Sequence, residues 1–191
     1  MENRLITDVD GTLGKSVAKD AIRECLRSTS IGQEDLMVAI KSPKEAAKIV
    51  DHSTLQKCEN IFNEKVAGTK IFPETLEALE YASSRAQIII SSRAPVAALK
   101  ELIRRNNLKI HKCFGRENGR KSSHVAESLE SDDYDRVIFV GNEPDDFNAD
   151  AVMPGTEVVK IAVNVVDPEK FPEDVHVYLG PLTKEILAKF I

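Results

Sequence analysis

Leu5-Ile6-Thr7-Asp8-Val9-Asp10-Gly11-Thr12-Leu13 is the stretch whose reading decides the fold. Leu5, Ile6 and Thr7 read as a buried strand. Two carboxylates follow with one residue between them, and a Gly-Thr turn comes next. Asp8 and Asp10 therefore stand at the carboxyl end of a strand, where open α/β sheets place their ligands. Two acids this close do not both ionise without a cation or a shared proton. The stretch predicts a metal site, a nucleophile with its acid/base partner, or both. Asp-x-Asp-Gly also occurs in EF-hand calcium loops, which need an acid at the first position and a Glu at the twelfth. With Gly11 as the loop glycine those positions are Ile6 and Val17, so the EF-hand reading fails.

Beyond Leu13 the pattern changes. Residues 16–68 carry helical periodicity and no strand signal. Val17, Ala21, Ile22, Cys25 and Leu26 form one apolar stripe. Ser42-Pro43-Lys44-Glu45 reads as a capping box with proline at the first helical position. Ser53-Thr54-Leu55-Gln56 reads as a second box, opening a helix whose stripe is Leu55, Cys58, Ile61, Phe62 and Val66. From Ile71 strands and helices alternate. Helices are predicted over 73–84, 95–106, 122–129 and 183–190, and strands over 87–90, 109–114, 136–140, 157–164 and 175–179. Gln87-Ile88-Ile89-Ile90 is apolar enough for a central parallel strand. The expected fold class is α/β, a doubly wound parallel sheet with right-handed crossovers and a small all-helical insertion. Residues 1–14 and 71–191 form the core, and residues 15–70 the insertion.

At 191 residues the chain suits one domain with such an insertion. A net charge of −5 argues against nucleic acid as a main partner and leaves room for a local basic pocket. Cys25, Cys58 and Cys113 are scattered, with no C-x-x-C, which points to reduced thiols, a cytoplasmic location and no zinc site. The first strand starts close to Met1, so no signal peptide is expected. No apolar run approaches the ~20 residues of a membrane span. His52, His111, His124 and His176 are isolated and receive no role. Nothing in the sequence bears on oligomeric state.

Asp8-Val9-Asp10-Gly11-Thr12 resembles motif I, D-x-D-G-T, of the haloacid dehalogenase superfamily of phosphohydrolases. Three further motifs of that family have counterparts downstream, in order. Ser91 follows an apolar strand, as the family's second motif requires, and Ser92 and Arg93 extend the turn. Taken alone, Ser91 or Ser92 also fits an N-cap ahead of Pro95. Lys121 is the candidate third-motif lysine, in a loop that also holds Arg116 and Arg120. Val137-Ile138-Phe139-Val140-Gly141-Asn142-Glu143-Pro144-Asp145-Asp146 is the counterpart of the fourth motif. The family has an acid directly after this glycine and another four residues later. Asp146 fits the later position, whereas the earlier one is Asn142, a departure that removes a negative charge. Glu143 or Asp145 is an alternative source of it.

The resemblance implies a Rossmann-like core, a helical cap over the site and a magnesium-dependent phosphatase acting on a small phosphate ester. Asp8 would be the nucleophile and Asp10 the acid/base group. Ser91, Ser92 and Lys121 would hold the phosphoryl group. Asp8, Asp10, Asp146 and Asn142 would hold Mg2+. Lys15 and Arg93 are candidate substrate contacts, and Lys19 and Arg23 follow motif I on what also reads as a solvated helix face. The family's dehalogenases lack a second Asp at the place of Asp10, which favours phosphoryl chemistry here. A phosphomutase shares these motifs, and Asn142 also suits a non-catalytic binding domain.

Overall fold

The structure is a computed structural model, and it describes residues 3–41, 47–130, 134–147, 150 and 152–191. The box expected at Ser42-Pro43-Lys44-Glu45 lies outside the described residues. A six-stranded parallel sheet forms the centre, built from β1 (Asn3–Thr7), β2 (Ala86–Ser91), β3 (Lys112–Phe114), β4 (Arg136–Gly141), β5 (Glu157–Ala162) and β6 (Val175–Val177). Its order is β3-β2-β1-β4-β5-β6, and every pairing is parallel. Leu5 pairs with Ile88 on one side and Ile138 on the other. Strand order reverses at β1 and β4, and a crevice opens outside the carboxyl ends of strands at such a switch point. Asp8 follows β1 there, and Gly141 ends β4.

Both sheet faces are covered, which is why the middles of the central strands, Leu5-Ile6, Ile88-Ile89-Ile90 and Val137-Ile138-Phe139-Val140, are apolar and buried. Side chains alternate between the faces. Leu5, Ile88, Ile90, Ile138 and Val140 pack with α4 (Pro73–Ser83), α5 (Val96–Arg105) and α7 (Lys184–Leu187). Ile6, Ile89, Val137 and Phe139 pack with Val125 and Leu129 of α6 (Lys121–Leu129).

Among the described residues three helices stand between β1 and α4: α1 (Ala18–Ser28), α2 (Gln33–Lys41) and α3 (His52–Ala67). They carry a cluster of their own, formed by Ala21, Cys25, Ile31, Leu36, Cys58, Ile61 and Phe62. The chain leaves and rejoins the core at one neck. Gly14 and Ile71 form an isolated antiparallel bridge, and Phe72 N–H donates to the Leu13 carbonyl at 3.0 Å. The cap of α3 is not the expected Ser53. Asp51 takes that place, accepting from Thr54 N–H at 3.0 Å and from Ser53 Oγ at 2.6 Å. A carboxylate there satisfies a free helix N–H and favours the positive end of the dipole.

Several expected boundaries move; the strand expected over 175–179 ends at Val177, and the helix expected over 183–190 runs over Lys184–Leu187. The strand expected over 109–114 begins at Lys112. The strand expected through residue 164 ends at Ala162, because Asn164 adopts a left-handed φ of 54° that no strand tolerates. Lys121, expected just ahead of a helix, is the first residue of α6.

Candidate active site

The turn after β1 is built by two short-range features. Leu13 N–H donates to the Val9 carbonyl at 3.0 Å, closing the turn, and Gly11 sits at a φ of +79° that side chains resist. Asp8 continues the ladder by one residue, its N–H donating to the Val140 carbonyl at 3.1 Å. Its carboxylate is buried and faces a cavity of about 270 Å³ between the sheet end and the helical insertion. Asp10, Ser92, Lys121, Asn142 and Glu143 share that cavity, with Val17 and Phe62 from the insertion side.

Lys121 Nζ lies 3.1 Å from Asp8 Oδ1 and also bonds Asp146 Oδ1. Asp146 is a buried post, with a side chain only 2% exposed. Its other oxygen accepts the N–H groups of Asn142 and Glu143 at 2.9 and 3.0 Å. The post stands so close to the end of β4 that a Cβ on Gly141 would fall 2.3 Å from the Asp146 Cβ. This explains the glycine.

Burial pushes the Asp8 carboxyl up to about 6; Lys121 pulls it down, and Asp146 adds to the rise. Burial works against the Lys121 ammonium, but Asp8 and Asp146 outweigh it and hold its pKa above the ordinary lysine value. Asp8 is therefore an anion that its surroundings destabilise, next to a firmly charged cation.

Asp10 is turned toward the insertion. Its Oδ1 accepts from Val17 N–H and its Oδ2 from Ser16 Oγ, both at 2.6 Å. It thus ties the start of α1 to the floor of the cavity.

The two serines part company. Ser91 Oγ is hydrogen-bonded to His124 Nδ1 at 3.0 Å, and burial holds His124 below the usual histidine pKa. Phe114 stacks on that imidazole with centroids 5.4 Å apart. Ser92, one residue later, lines the cavity beside Asp8 and Lys121. The period of two along a strand puts neighbours on opposite faces.

Asn142 Oδ1 accepts from Thr12 Oγ1 at 2.9 Å, so its amide is engaged with motif I. β4 ends at Gly141, and Glu143 lines the cavity with no hydrogen bond or ion pair on its carboxylate among the described residues. Asp145 pairs with Arg93 at the cavity mouth. Lys15 is exposed and stands off the cavity wall. Lys19 is exposed, and Arg23 pairs with Asp20 at 3.1 Å on the outer face of α1. Among the described residues no group of three His, Cys, Asp or Glu side chains is gathered closely enough to hold a metal ion. Asp8, Asp10 and Glu143 line one cavity, and oxygen ligands are the kind a hard cation such as magnesium takes.

Asn164 received no role from the sequence. Its left-handed backbone aims Nδ2 at the motif I loop, where it donates to the Gly11 and Thr12 carbonyls, each at 3.0 Å. A lone Asn past a strand gives no sequence signal for this.

No protein-family model matches the sequence, and no curated protein matches it. Solved structures do. A protein named as a candidate phosphatase from Clostridium difficile superposes with a TM-score of 0.65 at 19% identity, covering 100% of each chain. A 2-haloacid dehalogenase from Pseudomonas syringae gives 0.63 at 17% identity, again covering 100% of each chain. A protein named as a candidate HAD-hydrolase from Bacillus subtilis, bound to magnesium, gives 0.62 at 13% identity, covering 98% of this chain and 97% of that one.

The chain has the haloacid dehalogenase fold. In this haloacid dehalogenase fold Asp8, Ser92, Lys121 and Asp146 come from the segments that follow β1, β2, β3 and β4. Among the described residues no helix is long and apolar enough to cross a membrane.

Proposed function

We propose that this chain is a cytoplasmic, magnesium-dependent phosphatase that hydrolyses a small phosphomonoester through an aspartyl-phosphate. The observation that carries the reading is the pairing of Asp8 with Lys121 on the wall of a covered cavity that Asp10 and Ser92 also line. An Oδ of Asp8 attacks phosphorus, and the P–O bond to the alcohol breaks. Asp10 protonates the departing alkoxide, then takes a proton from the water that attacks the phosphoryl group. Phosphate leaves and Asp8 is regenerated. Lys121 balances charge on Asp8 and on the phosphoryl oxygens, while Asp146 fixes Lys121 and acts through it.

Ser92 is the hydroxyl placed to bind the phosphoryl group. Ser91, bonded to His124, supports the strand end behind it. Asp8, the Asp10 carbonyl and Glu143 are the oxygens that would hold magnesium, with Asn142 bracing Thr12. When bound, magnesium screens the repulsion between carboxylate and phosphate and orients them. Asp146, bonded to Lys121 and two N–H groups, is assigned to holding Lys121, and its expected place in the metal shell passes to Glu143 in this reading.

The test is hydrolysis of p-nitrophenyl phosphate with magnesium and with EDTA, with Asp8→Asn as the blank. Metal-dependent turnover that vanishes in the variant is expected. Undiminished turnover by Asp8→Asn would overturn the nucleophile assignment. Transfer of the phosphoryl group to a second hydroxyl of the substrate, in place of water, would make the chain a mutase.

A further inference from the structure

His124 received no role from the sequence, and it takes no step in the chemistry proposed above. It is nevertheless only 1% exposed and stands where three segments of the site meet. Its Nδ1 shares a hydrogen bond of 3.0 Å with the hydroxyl of Ser91, the last residue of β2. Phe114, the last residue of β3, stacks on its imidazole with the ring planes 11° apart. The Phe114 carbonyl in turn accepts the Ser92 N–H at 3.1 Å. The imidazole therefore touches both residues that fix the backbone of Ser92.

His124 also closes the first turn of α6, three residues after Lys121. Residues at that spacing are neighbours on one helix face. Arg120, just ahead of the helix, makes no side-chain cap bond to it. Lys121 reaches Asp8 on a long flexible stem, so the place of its ammonium depends on where that first turn is held. The bond between His124 and Ser91 thus ties the strand end leading to Ser92 to the helix start carrying Lys121. The charge of the ring suits this use. Burial holds His124 below the ordinary histidine pKa, and Lys121 opposes a second cation one turn away. The Gly119 and Gly115 carbonyls and Glu127 pull the other way without outweighing burial. The imidazole is therefore neutral at pH 7, and in so dry a place its bond to a hydroxyl is stronger than in water.

We propose that His124 is a positioning residue of the phosphatase: through Ser91 it sets the distance between the Ser92 hydroxyl and the Lys121 ammonium, the pair that holds the phosphoryl group. The inference rests on the phosphatase reading above and adds the element that fixes the spacing of its phosphate-binding pair. His124 itself touches no reacting atom.

The experiment uses the full chain with magnesium. It reads KM and kcat for p-nitrophenyl phosphate, the inhibition constant of inorganic phosphate, and Tm. Ser91→Ala and His124→Phe each remove the bond, and the second keeps a ring against Phe114. Each is expected to raise KM and the phosphate inhibition constant by about 3- to 10-fold, the worth of one buried neutral hydrogen bond. His124→Asn puts an amide near the place of Nδ1 and should recover most of the loss. The double variant Ser91→Ala/His124→Phe should bind phosphate no worse than the weaker single variant, because both break the same bond. Ser91→Ala, the milder change, keeps the test open should His124→Phe fold poorly. A wild-type inhibition constant in Ser91→Ala or in folded His124→Phe overturns the inference even where Tm falls, since the bond would then only pack the strand end. Losses that add in the double variant overturn it as well. Phosphate affinity by calorimetry needs no turnover. If the variants weaken it while wild type hydrolyses no ester, the phosphatase reading falls and the positioning role stands. A wild type that neither binds phosphate nor hydrolyses the ester overturns both.

Discussion

Asp8→Asn should make the protein more stable and inactive at once, and the size of the gain follows from the site. The folded protein holds the Asp8 carboxyl at about 6 against an ordinary value of 3.8, with burial as the main cause. Ionised Asp8 therefore opposes folding. Stability is unaffected below about pH 3.8, falls as pH rises toward 6, and is lowest above it. At about 1.4 kcal/mol per pH unit, the rise is worth roughly 3 kcal/mol at pH 8. Asparagine matches the protonated acid in shape and charge, so it escapes the penalty. For a chain of this size roughly 3 kcal/mol raises Tm by about 6–12 °C. The assay is thermal unfolding of wild type and Asp8→Asn in EDTA at pH 4 and pH 8. The variant should exceed wild type by that margin at pH 8 and match it at pH 4. Magnesium should then stabilise wild type more than the variant, since it answers the same charge. A variant that is less stable at pH 8, or a difference that is equal at the two pH values, would refute the account of Asp8 as a destabilised anion. Such a cost is the familiar exchange of stability for a prepared reactive group.

Two further substitutions probe the supports of the site. Asn164→Ala removes two hydrogen bonds to the motif I loop and leaves a methyl side chain at left-handed φ, whereas Asn164→Gly removes the bonds alone. Urea unfolding should show a loss of about 1–3 kcal/mol for the glycine variant and about 1 kcal/mol more for alanine, and kcat should fall in both; equal losses would place the whole effect in the amide. Gly141→Ala drives a methyl into Asp146, which must give way and release Lys121, so stability should fall by about 1–3 kcal/mol and turnover should drop with it. A Gly141→Ala protein with wild-type kcat would show that the Asp146 post is not needed to hold Lys121.

Local chemistry in the sequence determined much of this protein. The buried Leu5-Ile6-Thr7 strand ahead of Asp8, the Gly11 turn, the alternation of strand and helix after Ile71 and the stripe on α3 are short-range patterns with one physical solution each. They are enough for a parallel α/β sheet with a helical insertion, and they put Asp8 and Asp10 at a strand end. Even there a neighbouring group changed the detail, as when Asp51 displaced Ser53 as the cap of α3. Only the tertiary structure decided which groups meet. The order β3-β2-β1-β4-β5-β6 brings Asn142 to Thr12, 130 residues away, and Asn164 to Gly11, 153 residues away. It separated Ser92 from Ser91, because one step along a strand moves a hydroxyl from the cavity to the opposite face, where His124 waits. It told Lys121 apart from Arg116 in one basic loop by giving the first to Asp8 and the second to Glu59 of the insertion. Sequence fixes periodicity and turn chemistry within a few residues; which side chains share a cavity depends on strand order and on the face each one takes, and those are set by packing across the whole sheet.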